Sequence, residues 1–148
     1  MDSNPKMKLN ILWIGCSASD NGDGGFDIKT DHAYLENITA LRNNRNIRIW
    51  SPHTAVIKKA TASYAQHRGG IGSAAGLWSS GALDCHFCTL SHNPIQVLAE
   101  NNGSGALIRL FDSVLCKDNS QKGPELVKEK GTQIELIRTT PCKGDLDA

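Results

Sequence analysis

The sequence lacks a long apolar segment and a marked excess of charge of either sign. No window contains the roughly 18 apolar residues that a membrane-spanning helix requires. Sixteen basic and fifteen acidic side chains leave a formal net charge of +1, so no bulk electrostatic field would attract nucleic acid or an anionic membrane surface. We therefore expect that the chain does not bind nucleic acid and does not span a membrane.

A secretory signal and a regular cysteine framework are also missing. The first six residues, Met-Asp-Ser-Asn-Pro-Lys, contain no apolar core of the signal-peptide type. The five cysteines are an odd number at irregular spacing, which favours reduced thiols over a disulfide framework. These features predict a soluble protein located in the cytoplasm.

What the sequence does contain is enough apolar material for one domain. A chain of 148 residues with 39% hydrophobic residues lies within the ordinary globular range. We expect a single domain over residues 1–148, with the polar ends 1–7 and 141–148 frayed.

Short apolar runs alternate with segments that have helical spacing of apolar residues. The runs rich in β-branched and aromatic residues predict strands at Leu9–Gly15, Asn46–Trp50, Leu83–Leu90, Ala106–Phe111 and Thr132–Arg138. Helical spacing and capping residues predict helices over Asp27–Arg42, from Thr54 to Tyr64, after Asn93-Pro94, and after Gly123-Pro124 as far as Lys130. The segment 69–81 is rich in glycine, alanine and serine and predicts no definite element.

This alternation predicts an α/β fold, a single Rossmann-like domain with a mostly parallel sheet and right-handed crossovers. Such sheets bind ligands beyond the carboxyl ends of their strands. The loop Cys16–Gly25 follows the first strand, and its glycines would let backbone N–H groups approach an anion. The alternative is that this loop only turns the chain, because its spacing is not the dinucleotide fingerprint and its aspartates would repel a phosphate.

A resemblance to a family rests on the run Leu9–Gly15, on Gly24-Gly25-Phe26, and on Asn46–Pro52. Together with Leu83–Phe87 and the strand Ala106–Asp112, these segments resemble the amino-terminal domain of a glycosyltransferase of the GT-B fold, over about residues 7–112. In that family two Rossmann-type domains bind a sugar acceptor and a nucleotide-sugar in the cleft between them.

The resemblance implies a transferase-like role. Gly24, Gly25 and Phe26 would lie at the ligand, and His86 would be the catalytic polar group facing the acceptor. The second domain and the paired-glutamate motif of the family are missing, which implies a fragment, a degenerate relative, or a second domain or subunit supplied in trans. No cofactor is expected.

Two other constellations carry possible chemistry. Cys85-His86-Phe87-Cys88 with His92 resembles half of a zinc site or a thiol nucleophile beside an imidazole, but no second paired half is evident, and ordinary buried thiols are the alternative. The segment His67–Gly76 is similar to the substrate loop of the DHH phosphoesterases, although the family's aspartate and histidine motifs are not evident upstream, and a surface loop is the alternative.

A non-enzymatic interpretation also exists. Leu12–Gly15, Phe26–Thr30, Asn46–Trp50 and Leu107–Asp112 resemble blade strands of a β-propeller of the WD-repeat type, which would make the chain a protein-binding scaffold. The Ile-Arg signals are about 61 residues apart, however, where such blades repeat every ~40–45 residues.

Overall fold

The structure, a computed structural model, describes residues 10–67, 73–103, 105–117 and 125–142. Within these ranges the chain forms strands and turns, and no helix is present. The fifteen strands in chain order are β1 Asn10–Ile14, β2 Ser17–Ser19, β3 Gly24–Lys29, β4 His32–Leu41, β5 Arg45–Trp50, β6 Ala55–Ser63, β7 Ala75–Ser79, β8 Ala82–His86, β9 Thr89–Ser91, β10 Ile95–Ala99, β11 Leu107–Phe111, β12 Val114–Cys116, β13 Leu126–Lys128, β14 Gln133–Ile137 and β15 Thr140–Pro141.

The strands form two sheets, and the chain alternates between them. Sheet A has ten strands and contains β4 and β6 at its centre, whereas sheet B has the order β13-β10-β7-β5-β3. Every strand pair is parallel, and each strand pairs with strands of the neighbouring coils, on both sides within a sheet and on one side at its ends. The chain therefore winds as a β-solenoid, in which successive coils stack and both sheets run along the axis.

One inward-facing pattern recurs in the strands of sheet A. In the second to fifth coils, buried residues have the spacing i, i+2, i+5, i+7. They are Ala33, Leu35, Ile38 and Ala40; Ala55, Ile57, Ala60 and Ala62; Leu83, Cys85, Cys88 and Leu90; and Ile108, Leu110, Ser113 and Leu115. Strand pairing aligns these four sets, so that each position forms a ladder through the interior.

The three-residue step in this pattern comes from a left-handed residue at i+4. Asn37, Lys59, Phe87 and Asp112 have φ between 50° and 56°, which turns the chain so that the next inward position comes one residue later than in a regular strand. The core lies between this bent face of sheet A and the inner face of sheet B, which contributes Phe26, Ile28, Ile47, Ile49, Leu77 and Val97.

Buried amides fill one corner of the coils. Asn43 donates to Ala18 O and to Asn46 Oδ1, and Asn46 donates to Ser63 O and to Asn93 Oδ1. Asn93 in turn donates to Ala62 O and to Gln96 Oε1. These side chains satisfy backbone carbonyls where the chain turns from sheet A to sheet B, and they connect neighbouring coils.

Ion pairs on the outside also join neighbouring coils. Arg42 binds Asp20 through two hydrogen bonds, Arg109 binds Asp84 in the same way, and Arg138 binds Asp112. The hydrogen bond from Arg138 lowers the pKa of Asp112 below its ordinary value. These pairs are solvent-exposed or partly so and contribute little each to stability.

The expected Rossmann-like α/β fold is wrong. The five segments predicted as strands do form strands, but the four predicted helices are strands as well: Asp27–Arg42 contains β3 and β4, and the other three correspond to β6, β10 and β13. In β4 and β6, the spacing of two and three residues around the left-handed Asn37 and Lys59 imitates an amphipathic helix. The β-propeller interpretation is wrong for a different reason, since all pairs here are parallel and the strands wind as coils.

The cysteines also differ from expectation. Cys85 is bonded to Cys88 and Cys116 to Cys142, while Cys16 is free. Reduced thiols were therefore the wrong expectation for four of the five cysteines. At the chain ends, the expected frayed residues 1–7 and 143–148 lie outside the described residues, whereas Pro141 belongs to β15 and Cys142 donates its N–H to Leu115 O. Among the described residues, no helix is long and apolar enough to cross a membrane.

Candidate functional site

A candidate site lies at the corner where sheet B ends and the chain returns to sheet A. Strands β3 and β5 end at Lys29 and Trp50, which are neighbours in the parallel register. Thr30 follows β3, Ser51 follows β5 and Ser80 follows β7, and all three residues are buried. Continuing the parallel register by one position places Thr30 beside Ser51, and it places Ser80 beside Trp50 in the next coil.

A cavity of about 460 Å³ opens at this corner. Its volume lies within the range of about 300–1,000 Å³ that is usual for small-molecule sites. The lining residues are Lys29, Thr30, Asp31, Trp50, Ser51, Pro52, Ser80 and Asn102. We call this cavity the corner pocket.

The indole of Trp50 is held from the outer face of sheet B. The guanidinium carbon of Arg48 lies 4.2 Å from the Trp50 ring centroid and 5.2 Å from that of Trp78. Arg48 also lies 3.9 Å from the carboxylate of Asp27 on the neighbouring strand. These contacts fix the indole as a half-buried aromatic wall, with a cation–π contribution of about 0.5–2 kcal/mol.

The row of aromatic and basic side chains continues next to Trp50. The guanidinium of Arg45 lies 4.2 Å from the Trp78 ring centroid, and the Trp78 indole N–H donates to Glu100 over 2.7 Å. Burial, followed by the nearby charge of Arg48, lowers the pKa of Arg45 below its ordinary value. The outer face of sheet B is therefore a fixed stack of planar groups beside the corner pocket.

The floor of the pocket has a close backbone packing. Ser51 Oγ lies 2.8 Å from Asp31 O and 2.7 Å from His53 O, so its hydroxyl joins the corners of two coils. Gly81 packs on Ser51, and a Cβ at position 81 would collide with the Ser51 carbonyl oxygen. The fold therefore requires glycine at position 81, where the backbones of two coils approach closely.

The polar groups at the mouth remain available. Within the ranges that the structure describes, the side chains of Lys29, Asp31 and Asn102 form no ion pair and no hydrogen bond with another side chain. Lys29 offers an ammonium donor, Asp31 a carboxylate acceptor, and Asn102 an amide that can both donate and accept hydrogen bonds. Just outside the pocket, the rings of His32 and His53 stack with centroids 4.4 Å apart.

The residues expected from the glycosyltransferase resemblance lie elsewhere and not together. Gly24, Gly25 and Phe26 belong to β3, where Phe26 is 3% exposed and packs in the core. A Cβ on Gly25 would meet the Asn43 side chain and lie 2.7 Å from Asn46 O, so Gly25 permits close packing of coils. His86 is on sheet A and stacks on Phe111, with ring centroids 4.5 Å apart. None of these four residues lines the corner pocket.

The other predicted constellations can be placed in part. Cys85 and Cys88 are bonded to each other and buried, so in this form they are neither zinc ligands nor free nucleophiles. His92 stacks on Tyr64, with ring centroids 4.5 Å apart. No group of three or more residues with metal-binding side chains occurs among the described residues. Residues 68–72 of the loop His67–Gly76 lie outside the described residues.

The pocket residues were missed because each follows a different strand and no local motif joins them. A usable signal was present, however, since Lys29-Thr30-Asp31 and Trp50-Ser51-Pro52 each end an apolar strand with a polar or turn residue. Comparison with known proteins adds no relative: no family model, no curated protein and no solved structure matches this chain.

Proposed function

We propose that this chain is a non-catalytic saccharide-binding module and that the corner pocket is its binding site. The observation that carries the proposal is the combination of the fixed Trp50 indole with Lys29, Asp31 and Asn102 around one cavity. A pyranose ring has an apolar C–H face, which an indole can cover, and a rim of hydroxyls that both donate and accept hydrogen bonds. An aromatic wall with mixed donors and acceptors is complementary to both parts.

Charge favours a saccharide over a nucleotide-sugar. The lining contains one cation, Lys29, and one carboxylate, Asp31, whose charges offset each other. A diphosphate would need several donors or cations, whereas a sugar needs neutral hydrogen-bonding groups. The expected sugar ligand is therefore kept as a proposal, and the transferase role is not, since the fold from which it was inferred is not the fold of this chain.

Binding rather than hydrolysis also follows from the lining. Hydrolysis of a glycosidic bond normally uses two carboxyl groups that flank the bond. Asp31 is the one carboxylate among the lining residues that the structure describes. We therefore assign the pocket to recognition.

The two disulfides bear on where such a module would act. Disulfides persist in oxidising compartments and are rare in the cytosol. The pairs Cys85–Cys88 and Cys116–Cys142 favour an oxidising location, so the cytoplasmic location stays only a prediction from the sequence. The role of protein-binding scaffold also stays a prediction, and the exposed ring of Phe87 on sheet A is the feature that favours it.

The test is titration of the chain with a panel of short neutral, uronic-acid and amino-sugar oligosaccharides. Calorimetry and indole fluorescence measure the binding. We expect at least one class to bind and Trp50→Ala to weaken its binding at least tenfold. Tyr64→Ala is the matched control, because Tyr64 is a half-exposed aromatic that stacks on His92 away from the pocket. Far-ultraviolet circular dichroism would verify that both variants keep the parent fold.

Two results would overturn the proposal. One is a parent chain that binds no member of the panel. The other is a folded Trp50→Ala variant that binds as tightly as the parent.

A further inference from the structure

Strand β1 is a terminal strand of sheet A, and one of its edges has no partner among the described residues. It pairs with β4 alone, in parallel register from Asn10 to Ile14. Its side chains include three of the large hydrophobics that are exposed in the described part of the chain, with Leu12 at 64%, Trp13 at 37% and Ile14 at 57% exposure. Unpaired backbone groups next to exposed apolar side chains are a template for pairing with another strand.

The other terminal strands carry features that oppose such pairing. Strand β3 has exposed Asp27 and Lys29, β13 has exposed Lys128, and β14 has exposed Glu135. Strands β2 and β15 have only three and two residues, and β15 includes a proline. Charge, short length and proline are the usual protection of sheet edges. Strand β1 has five residues and no charge, so among the terminal strands that the structure describes it is the one without such protection.

The sequence of β1 is complementary to itself. In an antiparallel pair centred on Leu12, that residue would lie opposite its own copy. Asn10 would lie opposite Ile14, and Ile11 opposite Trp13. Side chains alternate between the two faces of a strand, so both faces of the joined ribbon would be largely apolar. An interface that uses the same patch on both partners is the usual arrangement in homodimers.

An open-ended assembly fits less well. If β1 of the next copy continued the parallel ladder beyond β14, the aligned positions Leu12, Tyr34, Val56, Asp84, Arg109 and Glu135 would extend to a second Leu12. That leucine would lie beside Glu135, whose carboxylate interacts with the Arg109 guanidinium on the neighbouring strand, and it would desolvate this charged pair. The two-fold arrangement contains no such conflict.

We propose that β1 is a self-association surface and that two copies of this chain pair through it, antiparallel and centred on Leu12. The pairing joins the first coils of both copies, so sheet A runs continuously through the dimer. It also links two corner pockets in one particle, which would raise the apparent affinity for a ligand that carries repeated units. Self-association does not depend on the identity of the pocket's ligand.

The experiment is sedimentation velocity of the full chain over a range of micromolar concentrations. We expect the parent to sediment as a dimer of the 16.0 kDa chain. Leu12→Lys should sediment as a monomer, because two ammonium groups would then lie opposite each other, and Leu12→Glu should do the same. An equimolar mixture of the two variants should recover the dimer, because lysine then lies opposite glutamate.

Leu136→Lys is the control, since Leu136 is an exposed leucine in β14 at the other end of sheet A. It should leave the dimer intact. Recovery in the mixture requires folded chains, so it separates loss of pairing from loss of fold. A parent that is monomeric throughout the range, a mixture that fails to associate, or open-ended assembly that Leu136→Lys abolishes would each overturn the proposal.

Discussion

At the residue scale, left-handed backbone conformation outside glycine determines the path of the chain. Among the residues that the structure describes, nine non-glycine residues have positive φ, including Lys59, Tyr64, Phe87 and Arg138. Bulky residues rarely adopt this conformation, which costs roughly 1–2 kcal/mol. Sequence patterns assign positive φ to glycine, asparagine and aspartate. The left-handed conformation of Asn37 and Asp112 could therefore be predicted, but that of Lys59 and Phe87 could not.

The two adjacent lysines of β6 provide a matched test. Lys59 has φ 56° and an exposed side chain, whereas Lys58 lies in the same strand without positive φ. We expect Lys59→Gly to leave stability unchanged or to raise it by up to about 1 kcal/mol, because glycine relieves the backbone cost. Lys58→Gly should lower stability by about 0.5–1 kcal/mol, because glycine in a regular strand adds entropy to the unfolded chain and because the contact of Lys58 with the Tyr34 ring is lost.

Urea denaturation of both variants measures the difference. We expect Lys58→Gly to lower the free energy of unfolding and Lys59→Gly to leave it unchanged or to raise it. An equal loss in the two variants would show that Lys59 is not held in the left-handed region in solution.

At the scale of the element, the chain's strands were predictable and its apparent helices were not. Strands such as β5 and β11 are continuous runs of apolar and β-branched residues, and their type follows from that composition. In β4 and β6 a left-handed residue changes the alternation, so that inward residues occur at steps of two, three and two. A local window cannot separate this spacing from a helix. Aligning residues 33–40, 55–62, 83–90 and 108–115 would have revealed the repeat.

The candidate site was harder to predict than the strands. Lys29 and Trp50 each end a strand, which is the usual place for polar and functional groups. Their proximity depends on the coil register, which pairs them across 21 positions of sequence, and Asn102 comes from a loop two coils later. The expected residues Gly24, Gly25 and Phe26 were chosen for a loop, but they are part of a strand.

The buried amides at the coil corners give a prediction about how elements are joined. Asn46 accepts hydrogen bonds from the backbone N–H and the side chain of Asn43 and donates to Ser63 O. We expect Asn46→Ala to lower the free energy of unfolding by about 2–4 kcal/mol, because buried donors and acceptors on neighbouring coils lose their partners. Gln133→Ala, an exposed amide in β14, should change it by less than about 0.5 kcal/mol.

Thermal and urea denaturation would check this pair of variants. If both variants lose equally little stability, then water replaces the hydrogen bonds of Asn46, and the buried amides do not hold the coils together.

At the scale of the whole molecule, each coil contacts mainly its neighbours, so stability is distributed along the axis. Cys116–Cys142 joins the last two coils and closes a segment with a sequence separation of 26. Chain-entropy arguments give such a cross-link about 3–4 kcal/mol, although measured values are often smaller. This disulfide should therefore hold the carboxyl-terminal coil to the rest.

Replacing both cysteines tests that role. Cys116→Ala with Cys142→Ala should lower the urea midpoint and increase amide hydrogen exchange first in β14 and β15. Cys16→Ala, at the free cysteine, should leave both measurements close to the parent values. Unchanged exchange in β14 of the double variant would contradict the assignment.

The coils have unequal lengths. Aligned inward residues of sheet A are separated by 22 residues from Ala33 to Ala55, by 28 from Ala55 to Leu83 and by 25 from Leu83 to Ile108. The interior ladders remain aligned because the additional residues lie outside the four inward positions. Loops can thus lengthen, and whole turns can be duplicated or deleted, without new core residues having to evolve. Diversification of such a chain would proceed by changes in length at its corners, where the pocket also lies.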